Sequence, residues 1–381
     1  MKTLRQVSIE GFKSISQATI ELGDLNVVIG ANGAGKSNLI AVFRLLESSL
    51  NGRLQHYTGI QGGADRLLHH GRKATPVCRL SFTGVDFSYG LTLEPNVKNR
   101  FVVAEEFLEY KGRSKTIAPA SDEADLAGLE HDLLVMYDED GNWVEPPSVD
   151  FHELLNSTLD DLPDLPSTQL ESIRAFHFHD TSDAAPCRQD AEIRDARELH
   201  AEGRNLPAFL YLLRERHATN YRRIVEHIRL VAPFFDDFIL EPSPDNDRMI
   251  RLEWRHRDSD AYFDAHSLSD GTLRFICLAT LLLQPNPPRL ILLDEPELGL
   301  HPLAIHILAE MLDAAAERTQ ILLATQSVTL LDQFSLDRVI VADYQGRSTR
   351  FTRLDPQDFE AWLEHFSVGE LWQKNVLGGR P

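Results

Sequence analysis

The sequence is poor in cysteine, in long apolar runs and in positive charge, and each shortage excludes a class of protein. Its three cysteines, Cys78, Cys187 and Cys277, have neither an even count nor ligand spacing. That excludes a disulfide framework or a cysteine zinc site and fits reduced thiols in the cytoplasm. The longest candidate for an apolar span, Ile276 to Leu283, has eight residues, Thr280 among them, against the roughly 18–20 that a membrane-spanning helix needs. The opening residues, MKTLRQVSIEGF, lack the apolar h-region of a secretion signal. No membrane partner is expected. With 38 basic and 58 acidic residues the net charge is −20, a field that repels nucleic acid on average. Nucleic acid would need a local basic patch, for which Arg214, Arg216, Arg222 and Arg223, or Arg251, Arg255 and Arg257, are candidates. The plainer reading of both groups is solvated faces interleaved with acids.

What is present suffices for a large folded core, since 43% of residues are hydrophobic and 25% charged. Val7 and Ile9, then Ala18, Ile20 and Leu22, alternate as strands do, and Leu25 to Ile29 reads as a central parallel strand. After Ser37, the residues Leu39, Ile40, Val42, Phe43 and Leu46 fall on a helical period. Strands are expected at Val77–Phe82, at Phe101–Tyr110 and as a pair near 238–254. Helices are expected at Asn205–Leu230, from Ser269, and over 302–317, with buried strands at 289–294 and 320–325. The stretch 118–170 is acidic and turn-rich, with Pro146, Pro147, Pro163 and Pro166, and reads as a loop-rich insertion or lobe boundary. No internal repeat or long heptad run is visible. Alternating β and α elements at both ends around a mixed middle predict an α/β sheet assembled from distant parts of the chain.

Gly30-Ala31-Asn32-Gly33-Ala34-Gly35-Lys36-Ser37 matches G-x-x-x-x-G-K-[ST], after a buried strand and before an amphipathic helix. Glycines let backbone N–H groups wrap phosphates, and the helix N-terminus adds positive potential. Lys36 is expected to reach the β and γ phosphates of ATP, and the Ser37 hydroxyl to ligate Mg²⁺. Downstream, the apolar Leu290–Leu293 ends in Asp294-Glu295-Pro296, where a parallel strand delivers ligands to a nucleotide. Asp294 would hold Mg²⁺ through its water shell, and Glu295 would act as general base.

Leu268-Ser269-Asp270-Gly271-Thr272 opens an apolar helix 25 residues before Asp294. A plain helix cap would explain Ser269, but the segment resembles the LSxGQ signature of the ABC ATPases. Glu297-Leu298-Gly299-Leu300-His301-Pro302 resembles the D-loop region of RecF, OLD and SMC-like ATPases, and Gly11-Phe12-Lys13-Ser14 the N-terminal element of the same group. Thr325-Gln326-Ser327 stands where that group has Thr-His-Ser, and Gln326 cannot become cationic as the histidine can. The resemblance covers residues 1–50 and 265–345. It implies an ABC-type head with a mixed or parallel central sheet, N-terminal antiparallel strands and an inserted helical or mixed lobe over 51–264, with 346–381 as a C-terminal extension. It further implies ATP and Mg²⁺ as ligands, with Asn38 and Lys13 near the nucleotide. Ser269 and Gly271 would contact the γ-phosphate held by a second subunit, so the complete site belongs to a homodimer. Over its length the chain resembles small stand-alone bacterial ATPases associated with anti-phage defence or DNA repair.

Several residues stay open between roles. His177, His179 and Asp180 fit a metal, a site-adjacent role or plain packing; Lys13 fits a nucleotide contact or a solvated turn; Gln61 fits a Q-loop whose position is loosely constrained; Arg274 fits a dimer interface or a helix surface. Three functions compete: an ATPase switch controlling an effector or a nucleic-acid process, a RecF-like DNA clamp, and a non-hydrolytic ATP-gated scaffold. A transporter subunit is disfavoured because the stretch from Ser37 to Leu268 is far longer than its helical lobe. Too few residues follow Leu330 for a Toprim nuclease, so any nuclease effector would be a separate protein.

Overall fold

A computed structural model describes residues 4–111, 113–117, 170 and 172–379, with the backbone alone described for 113–117. The expected loop-rich insertion, with Pro146, Pro147, Pro163 and Pro166, lies outside the described residues. In chain order the strands begin with β1 (Gln6–Phe12), β2 (Ile15–Glu21) and β3 (Leu25–Ile29). Helices α1 (Lys36–Leu50), α2 (Leu54–Ile60) and α3 (Ala64–Leu67) follow. Next come β4 (Cys78–Thr83), β5 (Phe87–Pro95), β6 (Phe101–Tyr110), β7 (Arg113–Ile117), β8 (Ile173–Phe176) and β9 (Ala191–Glu192). Then α4 (Leu206–Arg216) and α5 (Ala218–Val231) precede β10 (Phe235–Ile239), β11 (Pro242–Ser243), β12 (Asn246–Ile250), β13 (Glu253–His256) and β14 (Tyr262–Asp264). The last stretch carries α6 (Asp270–Leu283), β15 (Leu290–Asp294), α7 (Pro302–Ala316), β16 (Gln320–Ala324), α8 (Val328–Leu331), β17 (Val339–Gln345) and β18 (Ser348–Arg353).

The central sheet runs β18-β17-β3-β16-β15-β8. All its pairings are parallel except β17 with β18. Strand β3 pairs on both sides and is buried along its whole length, which suits its run of branched apolar residues. Successive side chains along a strand point to opposite faces, and here each face feeds its own core. Val27, Ile291, Leu293, Ile321 and Leu323 pack with α4–α7. Val28, Leu290, Leu292 and Leu322 pack with α1 and the antiparallel sheet β2-β1-β4-β5-β6-β7. Two small antiparallel sheets, β10-β13-β14 and β11-β12-β9, lie before α6 in sequence.

The α/β class and the N-terminal antiparallel strands are as the sequence implied. The expected helix over 205–230 is two helices. His217, at φ −134° and ψ 50°, ends α4 and precedes α5, and a helical period read across such a junction looks continuous. The pair expected near 238–254 is a larger arrangement in which β10 pairs β13 while β11 pairs β12. The edge strand β8 is not among the strands expected from the sequence.

The segment before β1 is tied to the central sheet by the Gln320 side chain. Gln320, only 2% exposed, donates Nε2 to the carbonyls of Leu4 (2.7 Å) and Gly23 (2.8 Å) and accepts from the Leu4 N–H at 3.0 Å. Gln320→Ala leaves those main-chain groups unpaired. It is expected to cost about 2–3 kcal/mol of stability, read as a lowered urea midpoint against wild type.

Candidate nucleotide site

The loop from β3 to α1 takes its shape from its glycines. Gly30 has φ +155° and Gly35 φ +106°. A Cβ at Gly30 would collide with the Ala342 carbonyl, and one at Gly35 would lie 2.8 Å from Ser14 Oγ. No side chain caps the N-terminus of α1, so its first N–H groups stay available to an anion. Lys36, 5% exposed, folds back over the loop and donates to the carbonyls of Gly30 (2.7 Å) and Ala31 (3.0 Å). Burial lowers its pKa, and the Glu295, Asp294 and Glu297 carboxylates push the other way.

A chain of hydroxyls holds this loop from behind. Asn38 Nδ2 donates to Ser14 Oγ at 2.7 Å, Ser14 Oγ lies 2.7 Å from Thr349 Oγ1, and Thr349 Oγ1 donates to the Ala34 carbonyl at 2.8 Å. Thr349 is fully buried, and its N–H reaches the Ser14 carbonyl at 2.7 Å. Sequence reading missed it because nothing local marks a threonine on β18 as a partner of a loop at residue 34. Lys13 and Gln61, singled out separately, meet here: Lys13 Nζ lies 3.4 Å from Gln61 Oε1. Lys13 has φ +46°, and burial, then the Arg44 charge, lowers its pKa.

The acids sit at the C-terminal end of β15. Glu295 has φ +44°, a left-handed conformation that costs a non-glycine residue on the order of 1 kcal/mol. Its N–H donates to the Ala324 carbonyl at 2.7 Å, and Gln326 Nε2 donates to its Oε1. The substituted switch position therefore touches the expected base directly. Glu297, buried, accepts from Thr325 Oγ1 at 2.5 Å, while its Oε2 has no partner. Burial raises its pKa, with the Glu295 charge adding to the rise. Glu297 and Thr325 were not anticipated as a pair, although both stand inside motifs visible in the sequence.

Ser269 caps α6, accepting from the Thr272 N–H at 3.2 Å, and stays exposed. Buried Arg188 fixes the segment from behind, and buried Arg274 ties α6 to neighbouring loops. Arg188 donates to the carbonyls of Thr181 (2.9 Å), Leu268 (3.3 Å) and Ala265 and pairs with Asp270 at 3.0 Å. Arg274 donates to the carbonyls of Phe178 (2.9 Å), His179 (3.0 Å) and Leu298. Arg274 is thus neither a surface arginine nor free for an interface, because its donors are committed inside the chain. Gly271 packs so tightly on the D-loop region that a Cβ there would lie 2.6 Å from the Gly299 carbonyl. His301 caps α7 by accepting from the Leu303 N–H at 3.4 Å, and Leu298 and Leu303 are 51% and 53% exposed.

The remaining candidates divide. Among the described residues no group of three or more His, Cys, Asp or Glu side chains is placed to hold a metal. Asp180 accepts from the Ser182 N–H (3.0 Å) and hydroxyl (2.7 Å), a turn rather than a ligand. His177 Nδ1 lies 3.3 Å from an Arg44 nitrogen. Of the basic patches, Arg214 pairs with Glu215, Arg251 with Asp190 and Arg255 with Asp236, so those arginines are interleaved with acids. No described helix is long and apolar enough to cross a membrane.

The sheet order, the loop from β3 to α1, the acids ending β15 and the capped helix α6 together define a P-loop ATPase head of the ABC type, similar to RecF and SMC heads. Solved structures agree on the fold. The SmcHead bound to the C-winged helix domain of ScpA is 15% identical at a TM-score of 0.56, covering 94% of this chain and 99% of that one. An Smc head domain with an extended coiled coil, bound to the C-terminal domain of ScpA derived from Pyrococcus furiosus, is 14% identical at 0.52, covering 95% and 98%. No curated protein matches the sequence significantly. A profile of the family described as "AAA domain, putative AbiEii toxin, Type IV TA system" matches residues 25–332, and the chain belongs to that family.

Arg188→Leu removes the charge behind Ser269 without touching the phosphate loop. ATP turnover should fall on the order of 10–100-fold, as for other groups that orient a functional element from behind. Nucleotide affinity should stay near wild type; an equal loss of both would show that Arg188 supports the whole fold.

Proposed function

We propose that the protein hydrolyses ATP as a cytoplasmic homodimer, each of two identical sites pairing one chain's phosphate loop with the other's α6 N-terminus. The observation that carries this reading is the contrast at Ser269. An exposed serine stands between Leu268 and Asp270, both bonded by buried Arg188, on a helix whose Arg274 is committed to the carbonyls of Phe178, His179 and Leu298. Such rigid backing of an exposed group fits delivery to a partner, and a two-fold pair closes both sites at once.

Within a site, Lys36 binds the β and γ phosphates, with main-chain N–H groups from Gly30 to Asn38 around them, and Lys13 adds charge. The Ser37 hydroxyl and Asp294 carboxylate are hard oxygen ligands that suit Mg²⁺ with several waters. When bound, that ion neutralises phosphate charge. Glu295 accepts a proton from the attacking water. Gln326, donating to Glu295 Oε1, fixes the carboxylate while leaving Oε2 for that water. This gives Gln326 a positioning role that needs no positive charge.

ATP-driven engagement and release would make the dimer a switch controlling a separate effector, a nuclease among the candidates, in anti-phage defence or a repair process. The net charge of −20 and the pairing of Arg214, Arg251 and Arg255 with acids favour this over a DNA clamp. The intact pair Asp294 and Glu295 favours it over a non-hydrolytic scaffold.

Two experiments test the reading. Lys36→Ala and Ser269→Arg should each abolish turnover, and mixing them should restore part of it, because one site of the heterodimer then has both an intact loop and an intact signature. A mixture that stays inactive despite demonstrated subunit exchange rules out the shared site. Glu295→Gln should slow hydrolysis by about 10²–10⁴ and accumulate an ATP-dependent dimer by size-exclusion chromatography with light scattering. A monomer with and without Mg·ATP rules out closure on ATP.

A further inference from the structure

Strand β8 forms the edge of the central sheet beside β15, and their parallel register ends at Leu293 opposite Phe176. The next residue on each chain is Asp294 and His177, so the imidazole stands at the same end of the sheet as the acids. Its main chain is fixed by an N–H bond to the Ala201 carbonyl at 2.8 Å. From α1, Arg44 places Nη2 3.3 Å from His177 Nδ1. A guanidinium has donors and no acceptor. Nδ1 must therefore offer its lone pair, and the ring proton sits on Nε2.

The surroundings keep the ring neutral. Burial, then the charges of Arg44 and His179, push its pKa down to about 4. Arg44 Nε is buried without a hydrogen-bond partner, and burial lowers the Arg44 pKa while Tyr57, Asp294 and Glu47 oppose that. Burial thus lowers the pKa of Lys13, Lys36 and Arg44 alike, and the Arg44 charge acts on Lys13.

We propose that His177 is a γ-phosphate contact, donating its Nε2–H to a terminal phosphate oxygen, with Arg44 as the positioning residue that sets tautomer and ring orientation. This rests on the ATP site described above and adds a donor that distinguishes ATP from ADP. A neutral donor here serves the site without adding a fourth charge beside Lys13, Lys36 and Arg44.

The test is calorimetric titration with Mg·ADP and with a non-hydrolysable ATP analogue, in wild type and in His177→Ala, His177→Gln, Arg44→Met and Lys36→Ala. Losing a hydrogen bond to a charged acceptor should weaken the ATP analogue about 10–100-fold in His177→Ala, with ADP affinity unchanged. His177→Gln, which carries a side-chain N–H, should recover most of the loss, and Arg44→Met should reproduce part of it. If wild type shows binding that depends on Lys36 but His177→Ala keeps its preference for the analogue over ADP, this inference is overturned while the ATP site stands. Equal loss for both ligands, unrelieved in His177→Gln, overturns it in favour of packing. Wild type that binds neither nucleotide overturns the ATP reading itself.

Discussion

The parallel pairing of β3, β16, β15 and β8 is the constraint on which the site depends. Parallel strands carry every chain end to the same edge, and the register here leaves little freedom. Ala324 lies opposite both Val28 and Asp294, and Leu293 lies opposite Phe176. The phosphate loop, Gln326, Glu295 and His177 therefore emerge side by side from four strands far apart in sequence. A slip of one residue in any of them would also exchange the two cores, since alternate side chains belong to opposite faces. Packing of the apolar residues and placement of the polar ones are thus enforced by the same pairing.

The polar cluster is costly for the fold to hold. Lys36, Glu297, Arg188 and Arg274 are all largely buried, and a charge removed from water is destabilising unless hydrogen-bonded. The two arginines and Lys36 meet that need with main-chain carbonyls, which stay fixed wherever the backbone is fixed. Glu297 meets it by half, with Oε2 unpaired. The incomplete satisfaction falls next to Glu295, whose backbone is itself left-handed. Strain of this kind gathers where geometry serves chemistry rather than stability.

What could be read in the sequence was what is contiguous. The phosphate loop, Asp294 with Glu295, the capped Ser269 helix and the buried central strands each declare themselves within about ten residues, because one strand end or one helix start sets the pattern. What escaped is made of pairings across long separations. Thr349 acts on Ala34, Arg188 on Asp270, and Arg44 on His177. None has a local signature, since an isolated threonine or arginine reads as solvated surface until the fold brings its partner up. The interruption at His217 was hidden for the opposite reason: periodicity on both sides masked one non-helical residue.

Arg274 limits how the proposed switch can move. Its guanidinium joins α6 to Leu298 beyond the acids and to Phe178 and His179 beyond β8, while Gly271 packs directly on Gly299. Helix α6, the segment around Leu298 and the end of β8 are thus bound into one body within a chain. A Cβ at either glycine would part them, which accounts for glycine at both positions. A change at the γ-phosphate cannot readily be absorbed by sliding α6 against β15, because that would leave a buried guanidinium without acceptors. In the proposed dimer the cheaper motion leaves each chain intact and changes the relation between the two chains.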